Sequence, residues 1–502
     1  MMETGLPKLC GLSLRELLPG ARIHGADDVT FTSCSADSRL CRSGDIFVAI
    51  VGAEVDGHEF VEEAVRRGAT AILAERLVPA AVPVCIVPDS RLAYGELCHR
   101  LAGSPSRRMK VVGVTGTNGK TTTSCLIQSI FRVAGRRSGI MGTLGYCDGT
   151  KTAAAPLTTP GAAVLADYLA RMRAGGCQHA VVELSSHALA QGRTAGLELD
   201  VACVTNIVRD HLDYHLTLQN YRAAKARILD HLCPQGVAVI NLDDPLSREL
   251  LQHVHGPCLT VSLRRDAEVR ATVIQRTASE QTFLLQCGDE TIPVRTRIIG
   301  DHHVSNCLLA TAVGLAHQID LPTIVRGLEF VDEMPGRLQR IECGQEYSVF
   351  VDYAHTPDAL AVSLNTLRET TSGRLICVFG AGGQRDRAKR PLMGAAVSAL
   401  ADVAFVTDDN PRGEASGAIL GEILGGMSKD CEVVVEADRA CAIDLALASA
   451  EPGDCVLIAG KGHERYQEIG QRRVDFDDRE VVRGWFRGRQ EGAALRVWRR
   501  AA

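Results

Sequence analysis

The sequence predicts an α/β protein of three domains, in which strand-like and helix-like segments alternate along almost the whole chain. The chain has 502 residues. One hydrophobic core seldom serves more than about 250–300 residues, so several domains are expected. Apolar strand-like runs that alternate with helical patterns are typical of a doubly wound, mostly parallel sheet. Polar or glycine-rich loops follow many of these runs, where open α/β sheets bind their ligands.

Composition and charge narrow the class of protein further. The chain is 46% hydrophobic and 23% charged, and its formal net charge is -5. This acidic balance argues against nucleic-acid binding, which usually requires a basic excess. No apolar run approaches the roughly 20 residues that cross a bilayer, and the first residues lack the apolar stretch of a secretory signal. We therefore expect a cytoplasmic protein that binds neither membranes nor nucleic acid. We also expect a monomer, although composition does not determine the oligomeric state.

The cysteines indicate neither a disulfide framework nor a zinc site. There are 18 of them, and they are scattered singly, without a C-x-x-C pair. In a cytoplasmic chain this spacing favours reduced thiols that pack as small apolar side chains.

Three blocks follow one another along the chain. Residues 1–107 mix short strands with helical stretches and form a smaller N-terminal α/β domain, which ends in the polar, proline-containing linker 103–108. Residues 108–334 form the central, doubly wound domain. Residues 335–502 repeat the strand-then-loop pattern and predict a Rossmann-like C-terminal domain. The arginine-rich segment 484–500 is expected to be a solvated tail.

The second block begins with the pattern of a phosphate-binding loop. "GTNGKTTT", residues 116–123, follows the strand-like "KVVGVT" and precedes a helical pattern. Glycines let successive backbone N–H groups point at phosphate oxygens. Lys120 would meet the terminal phosphates, and the Thr121 hydroxyl would reach Mg²⁺. Val114 occupies the first glycine position of the usual P-loop pattern, yet the strand before the loop and the helix after it predict a nucleotide site.

Seven further motifs accompany this loop. In chain order they are "ELSSHAL", "RDHLDYH", "YRAAKARIL", "DYAHTPDAL", "KRPLM", "DDNPR" and "GKGHE". Together with the loop they resemble the Mur ligases of peptidoglycan synthesis, from about residue 35 to residue 480. The resemblance is nearest to the members that add meso-2,6-diaminopimelate to UDP-N-acetylmuramoyl-L-alanyl-D-glutamate. It implies an ATP-dependent, amide-forming ligase with Mg²⁺ and an acyl-phosphate intermediate.

The resemblance also implies the catalytic and metal-binding residues. Phosphoryl transfer to a carboxylate joins two anions, so cations must offset their repulsion. Lys120 is the loop cation, and Thr121, Glu183 and His211 are implied metal ligands. Lys225 lies in a helical pattern, where a lysine would ordinarily be solvated. In the family the matching lysine carries a carbamate, which would supply anionic oxygens to Mg²⁺ where an ammonium would repel it.

The same resemblance assigns the ATP site to two domains. The implied ATP-binding residues are Gly116, Thr117, Asn118, Gly119, Lys120, Thr121, Thr122, Asn306, Arg337, Asp352 and His355. The segment "GDHHVSN" departs from the family's "G-x-F-N-x-x-N". His302 replaces the aromatic residue and His303 the first asparagine, so the adenine contacts stay open.

The nucleotide-sugar peptide is assigned in the same way to the first two blocks. The implied residues are Ser38, Ala53, Glu54, Val55, Thr158, Thr159, Ser185, Gln191 and Arg193. Arg193 suits an acidic substrate, because a guanidinium binds carboxylate or phosphate with two parallel hydrogen bonds. Without the resemblance, most of these positions would be ordinary turn and surface residues.

The "DDNPR" loop is assigned to the amino-acid substrate. The implied residues are Arg390, Asp409, Asn410, Pro411, Arg412, Gly460 and Glu464. Diaminopimelate differs from lysine by one distal carboxylate, so its selection requires a cation at that end. Arg412 supplies that cation, Pro411 fixes the turn that presents it, and Glu464 would take the distal ammonium.

Three other activities stay open on the sequence. The scaffold would also serve with L-lysine as the amine donor, or with glutamate as in folylpolyglutamate synthetases. A nucleotide-dependent switch would need only the phosphate loop. Arg412 argues against lysine, the N-terminal "ADSR" and "GDIFVAIVG" against folate, and Lys225 with "GKGHE" against a switch.

Overall fold

The computed structural model describes residues 11–52 and 55–488. Its first block contains a five-stranded sheet of order β2-β7-β6-β5-β4 and the separate pair β1-β3. The strands are β1 (Leu12–Ser13), β2 (Arg22–His24), β3 (Thr30–Phe31), β4 (Ser33–Ser35), β5 (Asp45–Val48), β6 (Ala71–Ala74) and β7 (Val84–Ile86). The helices are α1 (Leu14–Leu17), α2 (Val61–Arg66) and α3 (Ser90–Leu101). Strands β4 to β7 are parallel, and β2 is an antiparallel edge.

The second block contains an 11-stranded sheet of order β11-β10-β9-β12-β8-β13-β14-β15-β16-β17-β18. Its strands are β8 (Lys110–Thr115), β9 (Ser138–Gly142), β10 (Gly145–Cys147), β11 (Thr152–Ala153), β12 (His179–Glu183), β13 (Leu199–Val204), β14 (Leu232–Asn241), β15 (Cys258–Ser262), β16 (Val269–Arg276), β17 (Gln281–Cys287) and β18 (Glu290–Thr296). Its helices are α4 (Lys120–Val133), α5 (Ala162–Ala174), α6 (Ser186–Ala190), α7 (Leu212–His215), α8 (Leu218–Ala226), α9 (Pro245–Arg248), α10 (Asp301–Ala316) and α11 (Leu321–Glu329).

The third block contains a six-stranded sheet of order β19-β20-β24-β21-β22-β23 and the hairpin β25-β26. Its strands are β19 (Gln339–Arg340), β20 (Ser348–Asp352), β21 (Leu375–Phe379), β22 (Val403–Val406), β23 (Glu432–Val435), β24 (Cys455–Ala459), β25 (Tyr466–Ile469) and β26 (Arg472–Asp475). Its helices are α12 (Pro357–Arg368), α13 (Lys389–Leu400), α14 (Ser416–Leu424) and α15 (Arg439–Ser449).

The predicted fold class is confirmed: the central sheet is mostly parallel and carries helices on both faces. Strands β9, β12, β8, β13, β14, β15 and β16 run parallel, and the antiparallel pairs lie at the two ends. Successive residues of a strand point to opposite faces. Val112 and Val114 therefore pack with α4, α10 and α11, whereas Val111 packs with α5. Each of the three sheets lies inside one predicted domain, and the domain boundaries themselves stay a prediction.

The segment that ends the third domain corrects one expectation. Residues 478–488 form a helix, so the solvated tail predicted from residue 484 onward is wrong for its first residues. Phe486 is 9% exposed and packs with Trp485 in the core on the α15 side of the sheet. The segment is rich in arginine, so its composition predicted a solvated tail, although the apolar side chains of Trp485 and Phe486 pack this helix against the core. Residues 489–502 lie outside the described residues.

The predicted linker 103–108 is packed against the central domain. Pro105 and Ser106 are buried, and the Ser106 hydroxyl accepts a hydrogen bond from the Glu198 backbone at 3.2 Å. Arg107 forms a 2.6 Å ion pair with Glu198. The cysteines within the described part form no disulfide. No helix in that part is both long enough and apolar enough to cross a bilayer.

A buried ion pair joins helix 478–488 to the six-stranded sheet of the C-terminal domain. The Arg439 guanidinium donates to both Asp478 oxygens at 2.8 Å and to the Ala459 carbonyl at 2.8 Å. Both side chains of the pair are fully buried. Removal of one partner leaves the other charge buried and uncompensated, which costs about 3–5 kcal/mol. We expect Arg439→Met to lower the free energy of unfolding of the C-terminal domain by that amount, measured by urea denaturation.

The matched control for this substitution is Arg483→Met. Arg483 pairs with Glu480 on the same helical segment, but both side chains are about half exposed, and such pairs contribute roughly 0–1 kcal/mol. Equal losses in the two variants would show that the Arg439 pair does not stabilise the domain.

Leu216, directly after α7, has a strained backbone. Its φ is 67° and its ψ is -42°, and its side chain is 75% exposed. This is a γ-turn of positive φ, closed by a hydrogen bond from Thr217 N to the His215 carbonyl at 2.8 Å, and such a strained backbone costs on the order of 1–3 kcal/mol for a residue with a Cβ. We expect Leu216→Gly to stabilise the central domain by about 1 kcal/mol, seen as a higher melting temperature. Leu218→Gly, at the start of α8, should lower it, and a destabilised Leu216→Gly variant would contradict the strain.

Candidate active site

The phosphate loop lies where the sequence predicts it, between β8 and α4. Residues 116–119 connect the two elements, and α4 begins at Lys120. Gly116 has a φ of 148°, and a Cβ there would lie 1.8 Å from Thr205 Oγ1. Only glycine fits this close approach. The N-terminus of the 14-residue helix α4 directs free backbone N–H groups at the loop, as an anion site requires.

Two lysines meet at one carbonyl oxygen of this loop. Lys120 Nζ donates to the Gly116 and Thr117 carbonyls at 2.9 Å each. Lys225 Nζ donates to the same Gly116 carbonyl at 2.6 Å and lies over the Tyr221 ring. Lys225 is 1% exposed, although its helix pattern alone would leave it solvated. Burial, and then the neighbouring Lys120 charge, hold the pKa of Lys225 well below its usual value.

A buried carboxylate lies beside the loop at the end of β12. Glu183 Oε2 accepts from the hydroxyls of Thr121 and Thr143 at 3.0 Å each, and Oε1 accepts from the Thr143 backbone at 3.1 Å. Glu183 is 1% exposed, and burial raises its pKa. Thr143 follows β9, and no motif predicted it. The sequence thus placed Glu183 and Thr121 in the site but missed the residue that orients the carboxylate.

His211 and Asp210 lie in the loop between β13 and α7. His211 has a φ of 51°, and its Nε2 lies 3.3 Å from Asp210 Oδ2. Its ring lies edge-on to His187, with ring centroids 4.8 Å apart. Burial lowers the pKa of His211 to about 4, so the ring is neutral at pH 7. A neutral imidazole is the form that binds a metal.

The donor set fits Mg²⁺ completed by phosphate. Among residues 11–52 and 55–488, no three His, Cys, Asp or Glu side chains are gathered closely enough to hold a metal ion by themselves. Mg²⁺ usually takes one or two carboxylates together with substrate phosphates and water. The Glu183 carboxylate and the Thr121 hydroxyl, 3.0 Å apart beside the loop, provide such oxygens. His211 and a carbamate on Lys225 stay predicted ligands.

The residues predicted to hold the peptide of the nucleotide sugar adjoin Glu183. Thr159 Oγ1 donates to the Glu183 carbonyl at 2.7 Å, and Thr158 Oγ1 lies 3.2 Å from Thr143 Oγ1. Ser185 lies 3.3 Å from the Thr159 hydroxyl. Arg193 Nη1 donates to the Thr159 carbonyl at 3.3 Å. These contacts place a half-buried guanidinium close to Glu183, a predicted metal ligand, where an acidic substrate would bind.

The remaining residues predicted for this substrate are less closely joined. Gln191 Nε2 donates to the Tyr214 hydroxyl at 3.2 Å. Ser38 is 6% exposed, and its hydroxyl donates to Glu63 Oε2 at 2.7 Å within the N-terminal domain. Val55 is 49% exposed. Ala53 and Glu54 lie outside the described residues. The uridine assignment therefore stays a prediction.

A cavity of about 400 Å³ opens between the central and C-terminal domains. Of the residues predicted to bind ATP, Asn118, Gly119, Thr122, Asn306, Arg337, Asp352 and His355 line it. Asn306 Oδ1 accepts from Thr123 Oγ1 at 3.2 Å, which ties α10 to the start of α4. The cavity reaches the phosphate loop, and its volume suits a small organic ligand.

His302 and His303 line the same cavity at the start of α10. The Nδ1 atoms of both rings are buried without a hydrogen-bond partner among the described residues, and His303 Nε2 lies 3.5 Å from Cys307 Sγ. Burial lowers the pKa of both rings. The departure from the family pattern thus puts two imidazoles of lowered pKa, in place of a phenyl ring and an amide, against the interdomain cavity.

The C-terminal domain contributes the other wall of the cavity. The Arg337 guanidinium stacks on the Tyr353 ring at 4.5 Å. Asp352 accepts from the Leu338 and Tyr353 backbone and from Ser363. His355 Nδ1 lies 2.8 Å from the Tyr353 carbonyl. Asp352 therefore stabilises the conformation of the loop that follows β20. The Nε atom of Arg337 is buried and has no hydrogen-bond partner among the described residues.

The "DDNPR" loop follows β22 and is held by its own domain. Asp409 and Asn410 are 8% and 3% exposed, and Pro411 is also buried. Arg412 has a φ of 52°, and its Nη1 donates to the Gly383 carbonyl at 2.8 Å. Gly460, with a φ of 111°, is required because a Cβ there would lie 2.4 Å from Asp409 Oδ2.

Lys461 is a residue that the sequence reasoning missed. It is fully buried, and its Nζ donates to Asn410 Oδ1 at 3.0 Å and Glu464 Oε2 at 3.2 Å. Asn410 Nδ2 donates to Glu464 Oε2 at 3.0 Å. Burial raises the pKa of Glu464, and Lys461 opposes that rise. The signal was present, since Lys461 lies within "GKGHE", but only the fold shows that it contacts the Asn410 loop.

Arg390 was predicted to contact the amino-acid substrate, and the structure gives it other partners. Its side chain is fully buried and forms ion pairs with Glu414 at 2.9 Å and Glu422 at 2.8 Å. Its Nη2 donates to the Gly382 carbonyl at 3.2 Å. Arg390 thus supports the 382–383 loop on which Arg412 rests, and a direct substrate contact stays a prediction.

Three segments of the chain match models of Mur ligase domains. Residues 30–100 match the Mur ligase family, catalytic domain; residues 114–314 match the Mur ligase middle domain; and residues 336–462 match the Mur ligase, glutamate ligase domain. These matches span most of the chain. The chain belongs to the Mur ligase family. As a Mur ligase it is an ATP-dependent, amide-forming enzyme that uses ATP with Mg²⁺.

Relatives of this Mur ligase match it over nearly its whole length. UDP-N-acetylmuramoyl-L-alanyl-D-glutamate–2,6-diaminopimelate ligase of Geobacillus thermodenitrificans is 42% identical, over 94% of this chain and 98% of its own. The protein of the same name from Geobacillus kaustophilus is 41% identical, with the same coverage. A solved structure of a ligase of this name superposes with a TM-score of 0.70 at 34% identity, covering 96% of this chain and 99% of that one.

Proposed function

We propose that this enzyme joins meso-2,6-diaminopimelate to the D-glutamyl γ-carboxylate of UDP-N-acetylmuramoyl-L-alanyl-D-glutamate during synthesis of peptidoglycan precursors. The relatives described above are named as ligases of UDP-N-acetylmuramoyl-L-alanyl-D-glutamate and 2,6-diaminopimelate. The observation that carries the proposal is the Arg412 guanidinium, which is 22% exposed and held on the loop that the family uses for the amine donor. A cation fixed there selects a donor with a distal carboxylate.

The two charged groups at the distal end of that donor would meet opposite charges in one small region. Arg412 suits the distal carboxylate, and Glu464 suits the distal ammonium. Asn410, two residues before Arg412 in the chain, donates from Nδ2 to Glu464 Oε2 at 3.0 Å. A donor without the distal carboxylate would leave Arg412 without its anion, which costs binding free energy. This arrangement supports diaminopimelate over L-lysine.

The reaction requires two bond changes at one carboxylate. First, a γ-carboxylate oxygen of the D-glutamyl group attacks the γ-phosphorus of ATP, and ADP leaves with the bridging oxygen. Lys120 at the loop then offsets the charge on the transferred phosphoryl group. Second, the donor amine attacks the acyl carbon, and the tetrahedral intermediate collapses to the amide and inorganic phosphate. Mg²⁺, held by Thr121, Glu183 and the predicted ligands, would neutralise phosphate charge during the transfer.

The interdomain cavity explains how water is kept from the acyl phosphate. The central domain contributes Asn118 and Asn306, and the C-terminal domain contributes Arg337 and His355. When the nucleotide lies between them, both domains cover it and exclude water from the reacting groups. The reaction is proposed to take place in the cytoplasm, where ATP is available, and the monomeric state stays a prediction.

Phosphate release with purified enzyme, ATP, Mg²⁺ and UDP-N-acetylmuramoyl-L-Ala-D-Glu tests the proposal. We expect release to depend on both the nucleotide sugar and meso-diaminopimelate, and to be at least 100-fold slower with L-lysine. Equal rates with the two amines would refute the diaminopimelate assignment. Release without any amine donor would favour a nucleotide switch over a ligase.

A further inference from the structure

Arg412 has a partner that neither the motif nor the family resemblance assigns. Its Nε lies 2.7 Å from Glu468 Oε2, in the hairpin β25–β26, and the two side chains are 22% and 34% exposed. Its Nη1 donates to the Gly383 carbonyl at 2.8 Å. Within the described part of the chain, the protein thus contacts the guanidinium at Nε and Nη1, and Nη2 is the nitrogen that can face a ligand.

The main chain joins the same two segments. Arg412 N donates to the Glu468 carbonyl at 2.9 Å, and Gly470 N donates to the Arg412 carbonyl at 2.7 Å. Glu468 N donates to Asn410 Oδ1 at 2.9 Å. These bonds hold Arg412 at its φ of 52°, a left-handed conformation that residues with a Cβ rarely adopt. The loop and the hairpin thus form one unit, and Glu468 is its side-chain contact with the guanidinium.

We infer that Glu468 is a positioning and specificity residue for the carboxylate-bearing end of the amine donor. An arginine side chain has many rotamers, and a donor that must order it loses affinity. The ion pair with Glu468 orders the Arg412 side chain before the donor binds. Because a second carboxylate already occupies the Nε side, an incoming carboxylate is directed to the Nη2 side and repelled elsewhere. This inference rests on the proposed function.

A second pair in the same unit follows the same principle. Glu464, predicted to take the distal ammonium, is held by Lys461 at 3.2 Å. Asn410 contacts both pairs, since its Oδ1 accepts from Lys461 Nζ at 3.0 Å and from Glu468 N at 2.9 Å. Each side chain that would bind a charged group of the donor's distal end is therefore paired with an opposite charge of the protein. Such pairing fixes geometry before the ligand arrives.

Steady-state phosphate release with Glu468→Gln and Glu468→Ala tests the inference. We expect the KM for meso-diaminopimelate to rise about tenfold in both variants, while kcat stays within twofold of the wild type. The slow rate with L-lysine should not change, so discrimination between the two amines falls about tenfold. Glu468→Asp, which keeps the charge, should recover part of the KM. The melting temperature of each variant shows whether the hairpin is folded.

The matched control is Glu480→Gln, which removes an exposed carboxylate from another ion pair of the same domain and should leave KM unchanged. An unchanged KM for meso-diaminopimelate in folded Glu468→Gln and Glu468→Ala would overturn the inference, as would a loss of kcat at constant KM. If the wild type itself does not use meso-diaminopimelate, the proposed function fails, and the inference fails with it. The wild-type rates with the two amines therefore separate the two failures.

Discussion

Lys225→Ala is expected to lower the rate of phosphate release on the order of 10³-fold, the range seen when a group that offsets transition-state charge is removed. Lys225 is buried, and its Nζ donates to the Gly116 carbonyl at 2.6 Å beside Lys120. Burial, and then repulsion by the Lys120 ammonium, holds the pKa of Lys225 well below its usual value. A neutral amine is the form that reacts with CO₂ to give a carbamate. Initial rates at saturating substrates measure the loss.

Rescue separates a chemical role of Lys225 from a structural one. If its carbamate supplies oxygens to Mg²⁺, short carboxylates such as acetate should restore part of the activity of Lys225→Ala. A variant whose loop had simply lost a hydrogen bond would not respond to them. Lys151→Ala, which removes an exposed lysine of the same domain, should keep full activity with or without acetate. Full activity of Lys225→Ala would remove this residue from the mechanism.

Arg412→Ala is expected to lower kcat/KM for meso-diaminopimelate roughly 10²-fold or more. Truncation of one partner of a desolvated charge pair costs about 2–5 kcal/mol, and every 1.4 kcal/mol is about tenfold. The loss is larger than for Glu468→Gln, because the cation itself disappears. The slow reaction with L-lysine should change little, since lysine has no distal carboxylate. Competition between the two amines, followed by product mass, measures the ratio.

The control for this prediction is Arg483→Ala, which removes a half-exposed arginine from the helical segment 478–488. Its amine discrimination should match the wild type. An Arg412→Ala variant that still prefers meso-diaminopimelate by the wild-type factor would show that another group reads the carboxylate. Arg390 would then be the next candidate, although its guanidinium is paired with Glu414 and Glu422.

Much of the fold could be predicted because its signals are local. The strand-like "KVVGVT", the glycine loop and the helical pattern after it became β8, residues 116–119 and α4. Alternating apolar residues and turn-forming glycines determine the backbone conformation of only the few residues around them. The error at residues 484–488 has the opposite origin: arginines dominate that segment, and Phe486 is buried only because α15 and the sheet lie nearby.

The partners of the site residues depended on the fold. Thr143 reaches Glu183 because β9 and β12 are neighbours in the sheet, although they are about 40 positions apart. Lys225 reaches Gly116 across 109 positions. Glu468 reaches Arg412 because β25 lies against the "DDNPR" loop. No period or spacing within one segment encodes these distances.

The sequence by itself determined the family, the phosphate loop and the residue types that offset charge, since these reside in short contiguous motifs. The tertiary structure decided which of those side chains are buried, which are paired, and therefore which charges a ligand would meet. Strand order and packing bring distant segments together and remove water from between them. In that environment Lys225, which its helix pattern alone would leave solvated, is buried with a lowered pKa, and Arg412 is held by an ion pair.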